Sequence, residues 1–165
     1  MLTIVIENLK MQFPHSLLDA REFRDETTLH IKKEDIVSVC EFLRDDASCQ
    51  FNYCSDVCGA DAFTPENRFE VIYNLYSLPL KHRIRLKVFV DESDLHCPSV
   101  SSVWPGADWP ERETFDMFGI IFDGHKDLRR MYMPEEFEYH PLRKDFPMMG
   151  VPDSIPLPRK YFYYR

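Results

Sequence analysis

The sequence predicts an α+β fold in which a two-layer, mixed or antiparallel sheet has helices on one face. An extended, proline-rich C-terminal arm follows. Residues 68–77 and 83–90 alternate apolar and polar side chains as half-buried strands do, and residues 32–46 repeat apolar side chains at helical spacing. The last part of the chain contains six prolines and no regular periodicity. We therefore divide the 165 residues into an α+β domain (1–130) and an arm (131–165).

The first half of the chain contains three weaker strand signals and the clearest helix. Residues 16–23 and 27–33 predict two short strands, and residues 50–61 predict a third. In the helix over 32–46, four apolar residues at i, i+3, i+4 and i+7 share one face: Ile36, Val39, Cys40 and Leu43. Charged residues occupy the other side, so we expect one face of this helix to pack on a sheet.

The strongest strand signals predict a hairpin with a turn at residues 78–82. One face of the first strand is apolar: Phe69, Val71, Tyr73 and Leu75. One face of the second strand is also apolar: Ile84, Leu86, Val88 and Val90. Three cations alternate with this second set: Arg83, Arg85 and Lys87. The pattern predicts a sheet with one helix-covered face and one basic face that points toward solvent or a partner.

Composition and charge disfavour several classes of function. The formal net charge of -8 argues against nucleic-acid binding, because a phosphate backbone attracts clusters of lysine and arginine. No segment approaches the roughly 20 apolar residues of a membrane-spanning helix. The segment MLTIVIENLK is too short and too acidic for a secretory signal. We therefore expect an intracellular-facing chain that reaches a membrane only through a partner.

The five cysteines raise the alternative of a small stand-alone metal or redox protein. Three of them lie in CQFNYCSDVC, but this segment lacks the CxxC pairs that usually carry zinc or iron–sulfur sites. Phe51, Tyr53 and Val57 alternate with the thiols as in a strand. We expect reduced thiols in the core, with a metal site as the alternative.

The segment WPERETFDMFGIIFDGHKDLRR, residues 109–130, concentrates acids, bases and a histidine. It predicts a short helix that Asp108 caps and Gly119 ends. Glu111 and Glu113 fall in its first turn, at the positive end of the helix dipole. This segment is therefore the candidate functional region, and its charges either perform chemistry or hold a structure in place.

The carboxylates of this helix do not form a catalytic pair. Glu111 and Glu113 are two residues apart, so on a helix they point in different directions. Arg112 lies four residues from both Asp108 and Asp116, so we expect it to form ion pairs along the helix surface.

The histidines and cysteines give no catalytic or metal-binding pair either. His125 and His140 are separated by a loop and lack the i, i+4 spacing of helical zinc ligands. Cys97 follows His96 but has no visible third partner. The motifs GxGxxG, GxxxxGK[ST] and GxSxG are absent from the sequence. These observations favour a non-catalytic chain.

The proline-rich arm is unusually aromatic for a linker. Its proline content stiffens the chain and lowers the entropy lost on docking. We expect the arm to be poorly ordered in the free chain and to cover apolar surface on a partner, with its own domain as the alternative. The aromatic residues are Tyr132, Phe137, Tyr139, Phe146, Tyr161, Phe162, Tyr163 and Tyr164.

Several long segments resemble one family. They are RFEVIYNLYS, RIRLKVFV and PSVSSVWPGADWPERETFDMFGIIFDGHKDLRRMYMPEEFEYHPLRKDFP. All are similar to the C subunit of proton-pumping NADH:quinone oxidoreductase (respiratory complex I), which is the 30 kDa subunit in mitochondria. The resemblance is strongest over residues 33–147.

The resemblance implies a non-catalytic structural subunit of the hydrophilic peripheral arm of that complex. Such a chain would bind no flavin and no iron–sulfur cluster, which partner subunits would hold. Its main partner would be the large quinone-site subunit, which is related to hydrogenase large subunits. The chain would lie on the cytoplasmic side of a bacterial inner membrane, or on the matrix side in mitochondria. An equivalent subunit of a membrane-bound hydrogenase or formate hydrogenlyase is the alternative.

Within this resemblance, ten residues form the expected structural and interface signature, without a catalytic, cofactor or metal role. Four would fix the charged helix and its loop, and the others would meet neighbouring subunits through charge-assisted bonds. Internal ion pairs are the alternative for Arg112 and Arg129. The ten are Glu111, Arg112, Glu113, Asp116, His125, Arg129, Arg130, His140, Arg143 and Lys144.

Overall fold

The computed structural model describes residues 2–152, which contain three α-helices and seven strands. Two short 3-10 helices, Lys33–Asp35 and Pro105–Ala107, precede the second and third α-helices. In chain order the elements are α1 (Leu2–Gln12), β1 (Leu17–Phe23), β2 (Glu26–Ile31), α2 (Ile36–Asp45), β3 (Tyr53–Asp61), β4 (Phe69–Ser77), β5 (His82–Val90), β6 (His96–Pro98), α3 (Asp108–Phe118) and β7 (Ile121–Asp123).

The main sheet has five strands in the order β1-β2-β5-β4-β3. Its neighbours are antiparallel except β2 and β5, which run parallel, so the sheet is mixed as predicted. The predicted hairpin is β4 and β5, paired from Phe69↔Val90 to Ser77↔His82. A parallel pair needs a crossover, and the chain between β2 and β5 supplies it. Strands β6 and β7 form a separate parallel pair.

The core lies between the helices and one face of this sheet. The alternating residues Val71, Tyr73 and Leu75 of β4 are at most 1% exposed and belong to one cluster with buried residues of α1 and α2. Helix α3 packs on the same face of the sheet. Gly59 pairs with Val71, so both residues face the same side, and a Cβ atom on Gly59 would lie 2.6 Å from the Phe118 ring of α3. The fold is therefore the α+β arrangement that the sequence predicts.

The opposite face carries the predicted cations, but acids neutralise two of them. Arg85 lies 2.9 Å from Glu26, and Lys87 lies 2.6 Å from Glu70. This face is therefore a paired polar surface and has no free run of positive charge along β5.

Helix α1 is an addition to the predicted elements. From the sequence, the first ten residues are considered only to reject a secretory signal, and no helix is assigned to them. Val5 and Leu9 are buried, whereas Ile4 is 54% exposed. None of the helices in residues 2–152 is long and apolar enough to cross a bilayer.

Four of the five cysteines are buried, as expected of structural thiols. Cys40, Cys49, Cys54 and Cys97 are buried, Cys58 is half-buried, and all five are free thiols. Burial raises the pKa of Cys54 and of Cys97 to about 12, so both thiols stay protonated at neutral pH. Within residues 2–152, no group of three or more His, Cys, Asp or Glu residues is arranged to hold a metal ion.

The described part of the arm packs on its own domain. Phe137 is 3% exposed, and the backbone N–H of Leu142 donates to the carbonyl of Met117 at 3.2 Å. Residues 131–146 thus follow the alternative of self-packing, and not the favoured expectation that the free arm is poorly ordered. Residues 153–165, with the last four aromatic residues of the arm, lie outside the described part of the chain.

Candidate functional site

The ten signature residues are distributed over three segments that meet at α3 and at the adjoining edge of the sheet. Four lie on α3 itself, three follow β7, and three belong to the arm. Gly119 ends α3 as predicted: it adopts a left-handed φ of 79°, and its N–H donates to the carbonyl of Phe115 at 2.8 Å.

The predicted cap of α3 is wrong. Ala107 occupies the capping position without a side-chain hydrogen bond, because the preceding 3-10 helix runs directly into α3. The carboxylate of Asp108 is used elsewhere: His125 Nε2 lies 2.9 Å from its Oδ1 atom. The side chain that was expected to start the helix therefore holds the loop after β7.

Asp116 is the centre of the site. Its carboxylate is fully buried, and one oxygen accepts three backbone N–H groups, from Met131 at 3.0 Å, Tyr132 at 2.7 Å and Met133 at 3.0 Å. The other oxygen accepts from the Arg130 guanidinium at 2.8 Å. Burial raises the pKa of Asp116, but these hydrogen bonds outweigh it and hold the pKa below its usual value. Asp116 is thus an ionised anchor for the start of the arm.

Two further signature residues bind the same end of α3. Arg130 also donates to the carbonyl of Tyr139 at 3.2 Å, and the Nδ1–H of His140 donates to the carbonyl of Asp116 at 3.0 Å. Burial lowers the pKa of His140, which favours the neutral ring that this bond uses. These contacts hold the arm on both sides of the Asp116 carboxylate.

Gly119 is required by this packing as well as by its φ. A Cβ atom there would lie 2.6 Å from Nη2 of Arg143 and 2.6 Å from Nε2 of His140. The arm therefore sits directly against the end of α3, at a distance that only glycine allows.

Glu111 and His125 form a second buried cluster at the other end of α3. Glu111 is fully buried and accepts hydrogen bonds from the Ser99 hydroxyl at 2.5 Å and the Val100 N–H at 2.8 Å. Burial raises the pKa of Glu111 to about 7, against the lowering effect of these two bonds. His125 Nδ1 accepts the Asp127 N–H at 3.1 Å, so its proton is on Nε2, which lies 3.9 Å from Glu111.

The remaining charges on the outer side of α3 are less buried. Arg112 lies over the Trp109 ring at 5.0 Å, donates to the carbonyl of Arg129 at 3.2 Å and is 3.9 Å from the Asp127 carboxylate. The expected pairs of Arg112 with Asp108 and Asp116 are therefore replaced by contacts to the loop after β7. Arg129 pairs with Asp127 at 2.5 Å, which is the internal ion pair considered for Arg129 as the alternative to an interface contact. Glu113 is exposed and has no hydrogen bond or ion pair within residues 2–152.

The end of the described arm is held by residues that the sequence reasoning missed. Arg68 is 6% exposed and lies 2.9 Å from Asp61, 2.7 Å from Glu92 and 2.9 Å from Asp145. The Asp61 carboxylate also accepts the Lys144 N–H at 2.8 Å. The hydrogen bonds that Arg68 donates to Asp61 and Asp145 raise its pKa, so this guanidinium is a permanent cation between the sheet and the arm.

The signature residues Arg143 and Lys144 take part in a different way from that expected. Arg143 donates to the carbonyl of Phe118 at 2.7 Å and lies 5.1 Å above the Phe69 ring. Lys144 contributes its backbone N–H, and its exposed side chain makes no ion pair with a described residue. Asp61 and Arg68 flank the turn between β3 and β4, and their opposite charges at a hairpin are the signal by which the sequence analysis could have found them.

The buried charges of this site join distant segments of the chain. Asp116, Arg68 and Arg130 direct their charged groups into internal hydrogen bonds that join the arm to α3 and the sheet. The buried Glu111, Asp116 and His125 side chains are all bonded to partners within the chain.

A comparison with protein families identifies the chain. The model of the family described as "Respiratory-chain NADH dehydrogenase, 30 Kd subunit" matches residues 29–152, a range that contains all ten signature residues. The chain belongs to this 30 kDa subunit family. The resemblance seen in the sequence is thereby confirmed, and the family includes subunits of an oxidoreductase complex.

Curated members of the 30 kDa subunit family match over most of their length. The chain is 49% identical over 144 residues to the C subunit of the NADH-quinone oxidoreductase of Roseiflexus sp. (strain RS-1), covering 87% of this chain and 83% of the relative. It is 47% identical over 149 residues to the C subunit of the Geobacter sulfurreducens enzyme, covering 90% of each.

Solved structures share the fold of this family member. One is described as "Nqo5 of the trypsin-resistant fragment (1-134) in P63 form"; its TM-score is 0.66 at 30% identity, covering 77% of this chain and 98% of that one. A chain of the membrane-bound sulfane sulfur reductase, an archaeal respiratory membrane complex, has a TM-score of 0.73 at 19% identity, covering 89% and 86%. The second likeness concerns the fold alone.

Proposed function

We propose that this chain is a non-catalytic structural subunit of the hydrophilic peripheral arm of NADH:quinone oxidoreductase. It scaffolds the large quinone-site subunit, so that the complex passes electrons from NADH to quinone with coupled proton translocation. The flavin and the iron–sulfur clusters belong to partner subunits. The complex places the chain on the cytoplasmic side of a bacterial inner membrane, or on the matrix side in an organelle.

The buried Asp116 carboxylate is the observation that carries this proposal. It accepts three backbone N–H groups of residues 131–133 and the Arg130 guanidinium, which leaves it no free position for a substrate. The buried charge of Asp116 thus determines the course of the arm over the domain, as expected of a subunit that works by binding its neighbours.

Replacing Asp116 with Asn in the whole complex tests the proposal. The asparagine keeps the shape but removes the charge that holds Arg130 and the three N–H groups. We expect less assembled complex on a native gel, with a normal NADH:quinone turnover per assembled complex. Asp25→Asn, at an exposed position far along the chain, is the matched control and should change neither quantity.

One result would contradict the scaffold role, and another would contradict the assignment to NADH:quinone oxidoreductase. One is a complex with Asp116→Asn that assembles in normal amounts but turns over far more slowly. The other is mass spectrometry of the purified wild-type complex that finds hydrogenase subunits, in place of NADH-oxidising subunits, as its neighbours.

A further inference from the structure

The arm presents a rigid apolar surface beside the C-terminal end of α3. Tyr132, Tyr139 and Leu142 are 62%, 41% and 54% exposed, although each belongs to a backbone that is firmly bonded to the domain. Tyr132 donates its N–H to Asp116, the carbonyl of Tyr139 accepts from Arg130, and Leu142 donates its N–H to the carbonyl of Met117. The backbones of these three exposed residues are therefore all attached around the C-terminal end of this helix.

The same segment has an aromatic support underneath it. The rings of Phe137, Tyr139 and Phe146 contact one another edge to face, with centroids 5.5 to 6.3 Å apart, and Phe137 is buried. The exposed side chains are thus held in place before any partner arrives. A surface that is already ordered loses little conformational entropy on binding.

The border of this surface is acidic. Glu135, Glu136 and Glu138 lie between Tyr132 and Tyr139, are exposed, and form no hydrogen bond or ion pair with any residue in 2–152. The other acid of the described arm, Asp145, is neutralised by the internal Arg68 guanidinium. The three glutamates therefore give the apolar surface a negative edge that no ion pair within the described residues neutralises.

We infer that this surface docks into an apolar groove of a partner subunit bordered by lysine or arginine side chains. The inference rests on the proposed function and names the surface and the partner chemistry by which the scaffold would bind. Exposed tyrosines supply the large, rigid contact area that dominates binding energy at interfaces, and complementary charge at the border directs the approach. The occupant is a protein surface, because an anionic lipid headgroup layer would repel the three glutamates, whereas a protein groove can present matching cations.

Competitive incorporation into the complex tests this inference. Tagged variant and untagged wild-type full-length chains are expressed together, and their ratio in the purified complex is compared with the ratio in the free pool. The triple charge reversal Glu135→Lys, Glu136→Lys and Glu138→Lys should lower this relative incorporation at least about tenfold. The double variant Tyr132→Ala and Leu142→Ala should lower it similarly.

A matched triple reversal on the helix side is the control. Glu7→Lys, Glu34→Lys and Glu41→Lys make the same change of charge at exposed positions in or beside α1 and α2 and should leave incorporation within about twofold. Thermal unfolding of each free chain shows whether a loss of incorporation arises from misfolding. If the charge-reversed chain is unstable, the double variant Tyr132→Ala and Leu142→Ala, which changes only exposed side chains, tests the surface in its place.

The outcomes separate this inference from the proposed function. A tagged wild-type chain that does not enter the complex contradicts the proposed function itself. A wild-type chain that enters, together with arm variants that compete equally, contradicts only the docking surface. A photo-reactive amino acid at position 142 should cross-link to a partner segment rich in Lys or Arg. A cross-link to a second copy of the chain or to residues 153–165 would assign the surface to that occupant and overturn the inference.

Discussion

Asp116 and Arg130 meet at 2.8 Å, and this ion pair joins the C-terminal part of the charged helix to the residue just before the arm. The three N–H groups that follow Arg130 bind the other carboxylate oxygen, so four consecutive residues close on one buried anion. An anion held by a run of backbone amides needs no water and no partner chain. The charges that attract attention in the sequence therefore act first within the chain and determine the course of the arm.

Asp116→Asn in the isolated chain should release the start of the arm. Breaking a buried charge pair by removing one partner costs about 3–5 kcal/mol, because the other charge is left without compensation. We expect limited proteolysis to cut within residues 131–146 in the variant much faster than in the wild type. An unchanged cleavage rate would mean that the other contacts of the arm suffice without Asp116.

Arg68→Met should destabilise the chain much more than Asp145→Asn. Arg68 is almost completely buried and holds three carboxylates, so its loss leaves Asp61 buried without its cation, again at about 3–5 kcal/mol. The Asp145 side chain is 50% exposed, and an exposed ion pair contributes at most about 1 kcal/mol. Denaturant unfolding of both variants measures the difference, and equal destabilisation would refute the proposed role of Arg68.

The sheet was predictable from sequence because its information is local. In β4 and β5 every second residue from Phe69 to Leu75 and from Ile84 to Val90 is apolar, and these residues are buried in the structure with at most 3% exposure. The same holds for α2, whose four predicted face residues are all buried. Apolar residues that recur every two residues in a strand, or every 3.6 residues in a helix, indicate which face packs on a core, independently of the rest of the sequence.

The site was less predictable because its contacts join distant segments. The N–H of Lys144 bonds Asp61, which is 83 residues away in the chain, and no local pattern records such a pair. A proline-rich segment also lacks the periodicity that marks a buried face, so self-packing and partner-packing look alike in sequence. In α1, apolar residues on several sides obscured the one stripe that packs on the domain.

Gly119→Ala should destabilise the chain more than Gly124→Ala. Both glycines have φ values near +80°, so each substitution imposes backbone strain of about 1 kcal/mol or more. Only at Gly119 would the added methyl group also lie 2.6 Å from Arg143 and His140, whereas it meets nothing within 4 Å at Gly124. Denaturant unfolding should show the larger loss for Gly119→Ala, and only this variant should expose the arm to protease. Equal losses would show that the arm moves away without cost.

The purified full-length chain should carry no stoichiometric metal or flavin. The expectation rests on cysteines that alternate with apolar residues and on the high pKa of Cys54 and Cys97, since metals bind thiolates. Elemental analysis and an absorption spectrum of anaerobically purified protein measure this directly. One equivalent of iron or zinc would restore the stand-alone redox protein as the better hypothesis.

Glu111 should give the chain a stability that decreases as pH rises toward neutrality. The pKa of Glu111 is about 7 in the folded chain, because burial raises it, against 4.5 for an ordinary glutamate. Between these two pH values the folded chain keeps a proton that the unfolded chain has released. The folded chain thus binds more protons there, and its free energy of unfolding falls as pH rises through this range. The total loss is on the order of 3 kcal/mol.

Glu111→Gln isolates this effect from the other titrating groups. Glutamine resembles the protonated acid: its carbonyl can accept from the Val100 N–H, and its amide can donate to the Ser99 hydroxyl. Histidines with lowered pKa, such as His140, change stability in the opposite direction over the same range, but equally in wild type and variant.

We therefore compare urea unfolding of both chains between pH 5 and pH 8 (roughly the window in which ordinary carboxylates stay ionised). Relative to the wild type, Glu111→Gln should become more stable as pH rises, whereas Glu113→Gln, at an exposed site on the same helix, should follow the wild type. If the Glu111→Gln and wild-type curves stay parallel, Glu111 does not hold its proton in the folded chain.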